Sequence, residues 1–147
     1  MIELKLGTME EIEAYAQIYC AAYGEMPWDE RYTRDEVGEY IKKYIGVEHR
    51  FCYVLTLDKN PIGIMLGIRL PEIGGDFLRM EDFCIDPYYQ GKGMGSRFME
   101  RIREELLKED IGSILLGTQR DFPSHQFYLK NGFREIPHTV LLYSELE

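Results

Sequence analysis

At 147 residues the chain has the length of one ordinary domain and not of two, so a single domain over 1–147 is expected. Hydrophobic residues at 45% and charged residues at 29% exclude a disordered chain. No run approaches the ~18 apolar residues of a membrane span, and no basic segment leads into an apolar one at the N-terminus, so a cytoplasmic location without membrane contact is expected. Seventeen basic against twenty-six acidic side chains give a formal charge of -9, which repels phosphate backbones and argues against nucleic acid as the main partner.

Residues 2–6 alternate apolar and polar and read as a first strand. Thr8 stands three residues before Glu11, a capping-box signature, and Ile12, Tyr15, Ala16, Tyr19 and Ala22 follow at helical spacing. Gly24 and Pro27 end that helix before a loop containing Trp28, Asp29 and Glu30. A second capping box, Thr33 with Glu36, opens a helix with Val37, Tyr40, Ile41 and Tyr44 on one stripe. Residues 51–57 and 62–70 form a hairpin about Asp58-Lys59-Asn60-Pro61, and 77–85 adds a third strand after Gly74-Gly75. Met94, Phe98, Ile102 and Leu106 lie four apart on a helix reaching about Glu109. Residues 113–118 form an apolar strand expected to be buried on both faces. Pro123 suits the first turn of a short helix ending at Asn131-Gly132, and 133–136 and 139–143 supply two closing strands. The order β-α-α-β-β-β-α-β-α-β-β defines an α+β fold, a mixed and mainly antiparallel sheet flanked by helices.

Three cysteines, Cys20, Cys52 and Cys84, lie far apart among apolar residues without a Cys-x-x-Cys pair. They read as buried free thiols, and no metal is expected.

The segment Gln90-Gly91-Lys92-Gly93-Met94-Gly95-Ser96 joins a strand to a helix. Glycines let successive backbone N–H groups turn inward as a nest for phosphate, and the following helix adds its positive end. Lys92 is followed by Gly93, not by Ser or Thr, which excludes a Walker A loop. Ser96 stands where a dinucleotide fingerprint needs glycine, and Ile114-Leu115-Leu116 where it needs an acid.

Asp86-Pro87-Tyr88-Tyr89-Gln90-Gly91-Lys92-Gly93-Met94-Gly95 resembles the Gln/Arg-x-x-Gly-x-Gly signature of the GNAT N-acetyltransferase superfamily. Phe127-Tyr128-Leu129-Lys130-Asn131-Gly132-Phe133 resembles its second motif, Tyr-x-x-x-Gly-Phe, one helix and one strand downstream. The resemblance implies acetyl-CoA as co-substrate, with its pyrophosphate on the backbone of Gly91, Lys92, Gly93, Met94, Gly95 and Ser96. It also implies a pantetheine arm pairing like an extra strand with Phe83, Cys84 and Ile85. Asp121 stands where many members carry Asn, and Ser124 where Ala is usual. A two-fold homodimer is common in the family.

Acyl transfer to an amine needs a group to take a proton from the amine and another to give one to the leaving thiolate. Glu81 lies in Met80-Glu81-Asp82-Phe83-Cys84-Ile85, similar to the Leu-Glu-Asp-x-x-Val stretch of spermidine/spermine-type acetyltransferases, where the Glu relays protons through water. Glu81 is therefore the candidate base; a merely solvated strand carboxylate is the plain alternative. In a regular strand Asp82 falls on the opposite face, and only a bulge lets the two carboxylates act together. Tyr128 matches the family's general acid, against an alternative role in packing the short helix. His125 has no partner at a supporting spacing and reads as a helix-surface histidine. Trp28, Glu30 and Asp82 suit a cationic amine as acceptor, with a second ammonium resting against Asp82 or Glu30; a core tryptophan anchoring the loop is the alternative for Trp28. The reading is acetyl transfer from acetyl-CoA to a small cationic amine by direct attack. A CoA-binding regulatory module without turnover, or acetylation of a protein N-terminus or lysine, are the alternatives.

Overall fold

In the computed structural model, which describes residues 1–147, five strands pair in sequence order: β1 (Ile2–Leu6), β2 (Arg50–Leu57), β3 (Asn60–Leu70), β4 (Phe77–Ile85) and β5 (Ile114–Leu115). The first four are antiparallel and β5 joins β4 in parallel, giving the mixed sheet that the element order implies. Asp58 and Lys59 both have positive φ, so β2 and β3 meet in a two-residue hairpin turn that matches their right-handed twist. Two helices, α1 (Ile12–Gly24) and α2 (Arg34–Lys42), cover one face. Tyr15, Ala16, Ile18, Val37 and Ile41 pack there against Cys52, Val54, Ile64, Leu66 and Cys84. A third helix, α3 (Met94–Lys108), buries Phe98, Met99, Ile102 and Leu106 and contacts β1 and β4. Phe83 stacks on Phe98 with ring centroids 5.1 Å apart, which assigns Phe83 to the α3 face.

The two capping boxes behave differently. Thr33 Oγ1 accepts from Glu36 N at 3.0 Å and Glu36 Oε1 accepts from Thr33 N at 2.9 Å, closing the α2 start reciprocally. Thr8 makes no such cap, because Lys5 and the Tyr15 hydroxyl claim the Glu11 carboxylate. A short 3₁₀ turn, Met9–Glu11, precedes α1 instead.

β5 is shorter than expected. It pairs only Ile114 with Leu78 and Leu115 with Arg79, and Leu115 is exposed rather than buried on both faces. The cause lies in β4, where Leu66 faces Asp82 and the next β3 residue, Gly67, faces Met80. Glu81 is thus an extra residue, a β-bulge that bends β4 just beyond the paired stretch. Cys20 is half-buried, its thiol 3.6 Å from Tyr32 O, while Cys52 and Cys84 are buried, and all three are free. No helix is long and apolar enough to cross a membrane.

Contacts divide the chain into Met1–Gly117, which holds the sheet and α1 to α3, and Thr118–Glu147. The second unit contains α4 (Pro123–Lys130), opened by proline and closed by Asn131, whose side chain donates to Phe127 O at 2.8 Å. Gly132 with φ 89° reverses the chain, and Phe133 N donates to Tyr128 O at 3.0 Å. The two closing strands expected over 133–136 and 139–143 do not form. A short apolar segment makes a strand only when a neighbouring ladder takes its N–H and C=O groups. Here Val140, Leu141, Leu142 and Tyr143 stand exposed without one.

Gly63 lies close against both β4 and α3: a Cβ there would be 2.7 Å from Ile85 Cδ1 and 3.1 Å from both Cys84 O and Phe98 Cε2. Gly63→Ala is therefore expected to lower stability by about 1–3 kcal/mol, read as an earlier urea midpoint with an unchanged slope.

Candidate active site

The glycine loop has the backbone that the sequence suggests. Gly91 and Gly93 take φ of 76° and 78°, flanking Lys92, which is not left-handed. Alternation of this kind turns neighbouring N–H groups toward one concavity. Gly93 is also the N-cap of α3, so the unpaired N–H groups of Met94, Gly95 and Ser96 and the positive end of a 15-residue helix open at the same place. A Cβ at Gly91 or Gly93 would meet nothing within 4 Å, so the approach to the loop is open. The Lys92 ammonium lies 5.1 Å from the Tyr88 ring centroid. Gln90 ties the loop to β4 by donating from Nε2 to Ile85 O at 2.8 Å. Exposed backbone donors, a helix N-terminus and a nearby ammonium fit a diphosphate.

Beyond Arg79, β4 has no partner strand on its outer side. Asp86 N bonds Ile62 O, so by antiparallel alternation Cys84 directs its backbone at β3 while Phe83 and Ile85 direct theirs outward. Of the three residues assigned to the pantetheine arm, only these two present groups to that edge. Tyr23 reaches there from α1: its hydroxyl accepts from Phe83 N at 3.1 Å and donates to Phe83 O at 3.2 Å. The Cys84 thiol lies within the core, where burial pushes its pKa up and keeps it a neutral, unreactive thiol.

The bulge at Glu81 changes which residues face α1 and α2. Before it, Arg79 is on that face with Ile68; after it, Asp82 and Cys84 are. Glu81 pairs with Arg79 Nε, so both carboxylates of the Glu81-Asp82 pair lie on the α1/α2 side. Asp82 Oδ1 accepts from the Tyr19 hydroxyl at 3.1 Å and Oδ2 from the Tyr40 hydroxyl. Burial raises the Asp82 pKa, the two phenols oppose that rise, and the Glu81 charge adds to it. Both phenols are in turn pushed far up by burial and the carboxylate they bind. Glu30 feels the same environment, its pKa raised by partial burial and then by Asp82. Trp28 sits edge-on to Tyr23 at 5.9 Å, while Asp29 turns away to Arg31 at 2.9 Å. Tyr19 and Tyr40 read from sequence as core stripe residues, and Tyr23 carries no sequence assignment. The overlooked signal is their hydroxyls, since a phenol on a buried stripe needs a polar partner there.

In the second unit, Tyr128 is half-buried, with Phe127 and Phe133 edge-on at 5.3 Å each. Ser124 shares a 2.7 Å hydrogen bond with Thr118, and Asp121 is exposed. His125, expected on the helix surface without a partner, has a side chain 14% exposed with Nε2 3.3 Å from Glu135 Oε2. Glu135 also takes Arg120 at 2.8 Å, which holds its pKa below the usual carboxylate value.

A glycine nest at a helix start, beside a bulged strand that has no partner strand beyond Arg79, is the geometry of the site. The chain belongs to the acetyltransferase (GNAT) family, whose sequence model matches residues 12–133. A possible acetyltransferase from Clostridium difficile 630 shares the fold with a TM-score of 0.85 over 100% of this chain and 99% of its own, at 16% identity. An aminoglycoside acetyltransferase from an uncultured soil metagenomic sample, in complex with sisomicin, superposes with a TM-score of 0.77 over 99% and 97%, at 11% identity. Histone acetyltransferase TAP1 from Glycine max is 37% identical over 59 residues, which is 40% of this chain and 25% of that protein. The chain spans between 11% and 25% of the length of the curated relatives it matches.

Proposed function

We propose that residues 1–147 act as one domain that transfers an acetyl group from acetyl-CoA to the amine of a small cationic acceptor by direct attack. The observation that carries this reading is the left-handed pair Gly91 and Gly93 at the start of α3, a phosphate cradle in a member of an acetyltransferase family. When bound, acetyl-CoA supplies the activated acyl group and a thiolate leaving group. The nest and the N–H groups of Met94 to Ser96 hold the pyrophosphate, while Phe83 and Ile85 offer the outer edge of β4 to the pantetheine arm. Asp121 and Ser124 are secondary contacts for the same arm.

Glu81, with Oε1 held by Arg79, takes the amine proton through water with its second oxygen. Tyr128 returns a proton to the departing sulfur. The neutral, buried Cys84 thiol supports attack by the amine itself rather than through an acyl-enzyme. Trp28, Glu30 and Asp82 form the acceptor wall, where acids in a partly dry setting attract a cation and repel an anion. The complex of the soil aminoglycoside acetyltransferase with sisomicin is consistent with a small amine in a fold of this kind.

Gly93→Glu adds both a side chain at a left-handed position and a negative charge within the cradle. Calorimetry should show acetyl-CoA binding lost, and unchanged affinity in a folded variant would refute the placement. Tyr128→Phe keeps the ring packing against Phe127 and Phe133 and deletes only the hydroxyl. Turnover should fall by roughly ten- to a thousand-fold, within the span of general acid catalysis, with acetyl-CoA affinity retained. Wild-type turnover in that variant would reduce Tyr128 to a packing residue.

A further inference from the structure

The stretch of β4 assigned to the pantetheine arm is already occupied. Tyr23, in the last turn of α1, sets its hydroxyl between the two backbone groups that Phe83 turns outward. It accepts from Phe83 N at 3.1 Å and donates to Phe83 O at 3.2 Å. One phenol oxygen thus fills the place where a neighbouring strand, or an amide of the arm, would bond. An acceptor on the arm would need to lie about 2.9 Å from Phe83 N, where the phenol oxygen already sits. Phenol and arm therefore exclude each other at Phe83. At Ile85 there is no such conflict, because a carbonyl oxygen holds two lone pairs and the Gln90 amide takes one.

Tyr23 is half-buried, unlike Tyr15 of the same helix, which is sealed in the core. Its backbone is held separately from its side chain: Glu30 N donates to Tyr23 O at 2.8 Å, so the ring can turn without releasing the loop after α1. The ring also joins the cofactor edge to the residues assigned to the acceptor. Its centroid lies 5.9 Å from that of Trp28, edge-on at 88°, and 4.6 Å from that of Tyr19, whose hydroxyl donates to Asp82. Movement of the phenol off Phe83 reaches Trp28 directly and Asp82 through Tyr19.

We propose that Tyr23 is a displaceable stopper on the pantetheine edge: it holds Phe83 before the arm arrives, yields Phe83 to the arm, and in moving off reshapes the Trp28 side of the acceptor wall. The inference rests on the acetyl-CoA reading of the site. When only a fraction of molecules is competent to bind, apparent affinity falls by that fraction. Here the fraction is the share of molecules whose phenol is off Phe83. Tyr23 therefore weakens binding of the arm and leaves the diphosphate on the glycine loop unaffected. The consequence is an order of events, since the acceptor wall takes its loaded form only after the arm is seated.

The test compares CoA with 3′-phosphoadenosine 5′-diphosphate, the same molecule without its pantetheine arm, by calorimetry on the full chain. Tyr23→Phe keeps the ring beside Tyr19 and Trp28 and deletes the tie to Phe83. It should tighten CoA binding by about two- to ten-fold, the range of one net hydrogen bond, and leave the affinity of the armless fragment unchanged. Trp28, the single tryptophan, reports the movement in the wild-type chain: its emission should shift with CoA and stay unmoved by the fragment. A role in packing alone predicts that Tyr23→Phe alters both ligands alike, and that result overturns the proposal. So does CoA binding that is weaker or unchanged in the variant, or Trp28 emission that answers CoA and fragment equally. Each of these outcomes leaves the acetyl-CoA reading standing, whereas a wild-type chain that binds neither ligand removes that reading and the proposal together.

Discussion

One extra residue in β4 decides how the site is built. Without the bulge at Glu81, strict alternation would keep Glu81 and Asp82 on opposite faces of the sheet, one of them beneath α3. With it, both carboxylates lie on the α1/α2 side, and the strand shifts its parity so that Phe83 stacks on Phe98 while Cys84 enters the α1/α2 core. The same residue bends the strand away from β5, whose pairing ends at Arg79. A two-residue β5 and an outer edge without a partner strand at Phe83 and Ile85 are thus two results of a single insertion.

The two halves of the candidate site rest on different chemistry. At the glycine loop the work falls to backbone: left-handed Gly91 and Gly93, the first N–H groups of α3, and the Gln90 side chain that fastens the loop to Ile85. Side-chain identity matters little there, and what counts is the freedom to adopt positive φ. Around Asp82 the opposite holds. Burial would drive a proton onto this carboxylate, and the phenols of Tyr19 and Tyr40 counter that tendency, so three particular side chains from three elements are interdependent.

Most of this was legible where the signal is local. Period-two and period-3.6 patterns place β1 to β4, α1, α2 and α3 within a few residues, because each buries apolar side chains against a neighbour, while Pro123 and Asn131-Gly132 bound α4. The Thr33 capping box forms with the Glu36 carboxylate on Thr33 N, whereas Lys5 and Tyr15, six and four residues from Glu11, take its carboxylate, a competition that lies outside the four-residue capping pattern. The bulge is silent for the same reason: register is a property of two strands. Likewise Glu135 meets His125 only after Gly132 reverses the chain. The apolar run at 140–143 shows the limit from the other side, since apolar residues specify what a strand would bury but not that a partner ladder exists.

The Tyr23 hydroxyl bears on a hazard separate from catalysis. A strand edge with unpaired N–H and C=O groups is a template on which another chain can add a strand, the first step toward aggregation. Barrels remove such edges, and many sheets blunt them with charge or proline. Here a phenol answers both groups of Phe83, and the Gln90 amide answers the carbonyl of Ile85. Side chains guard the edge reversibly: a foreign strand must displace them one after another, without the gain of a continuous ladder until they have gone. The protein thus keeps an accessible strand edge at low risk of being joined by the wrong strand.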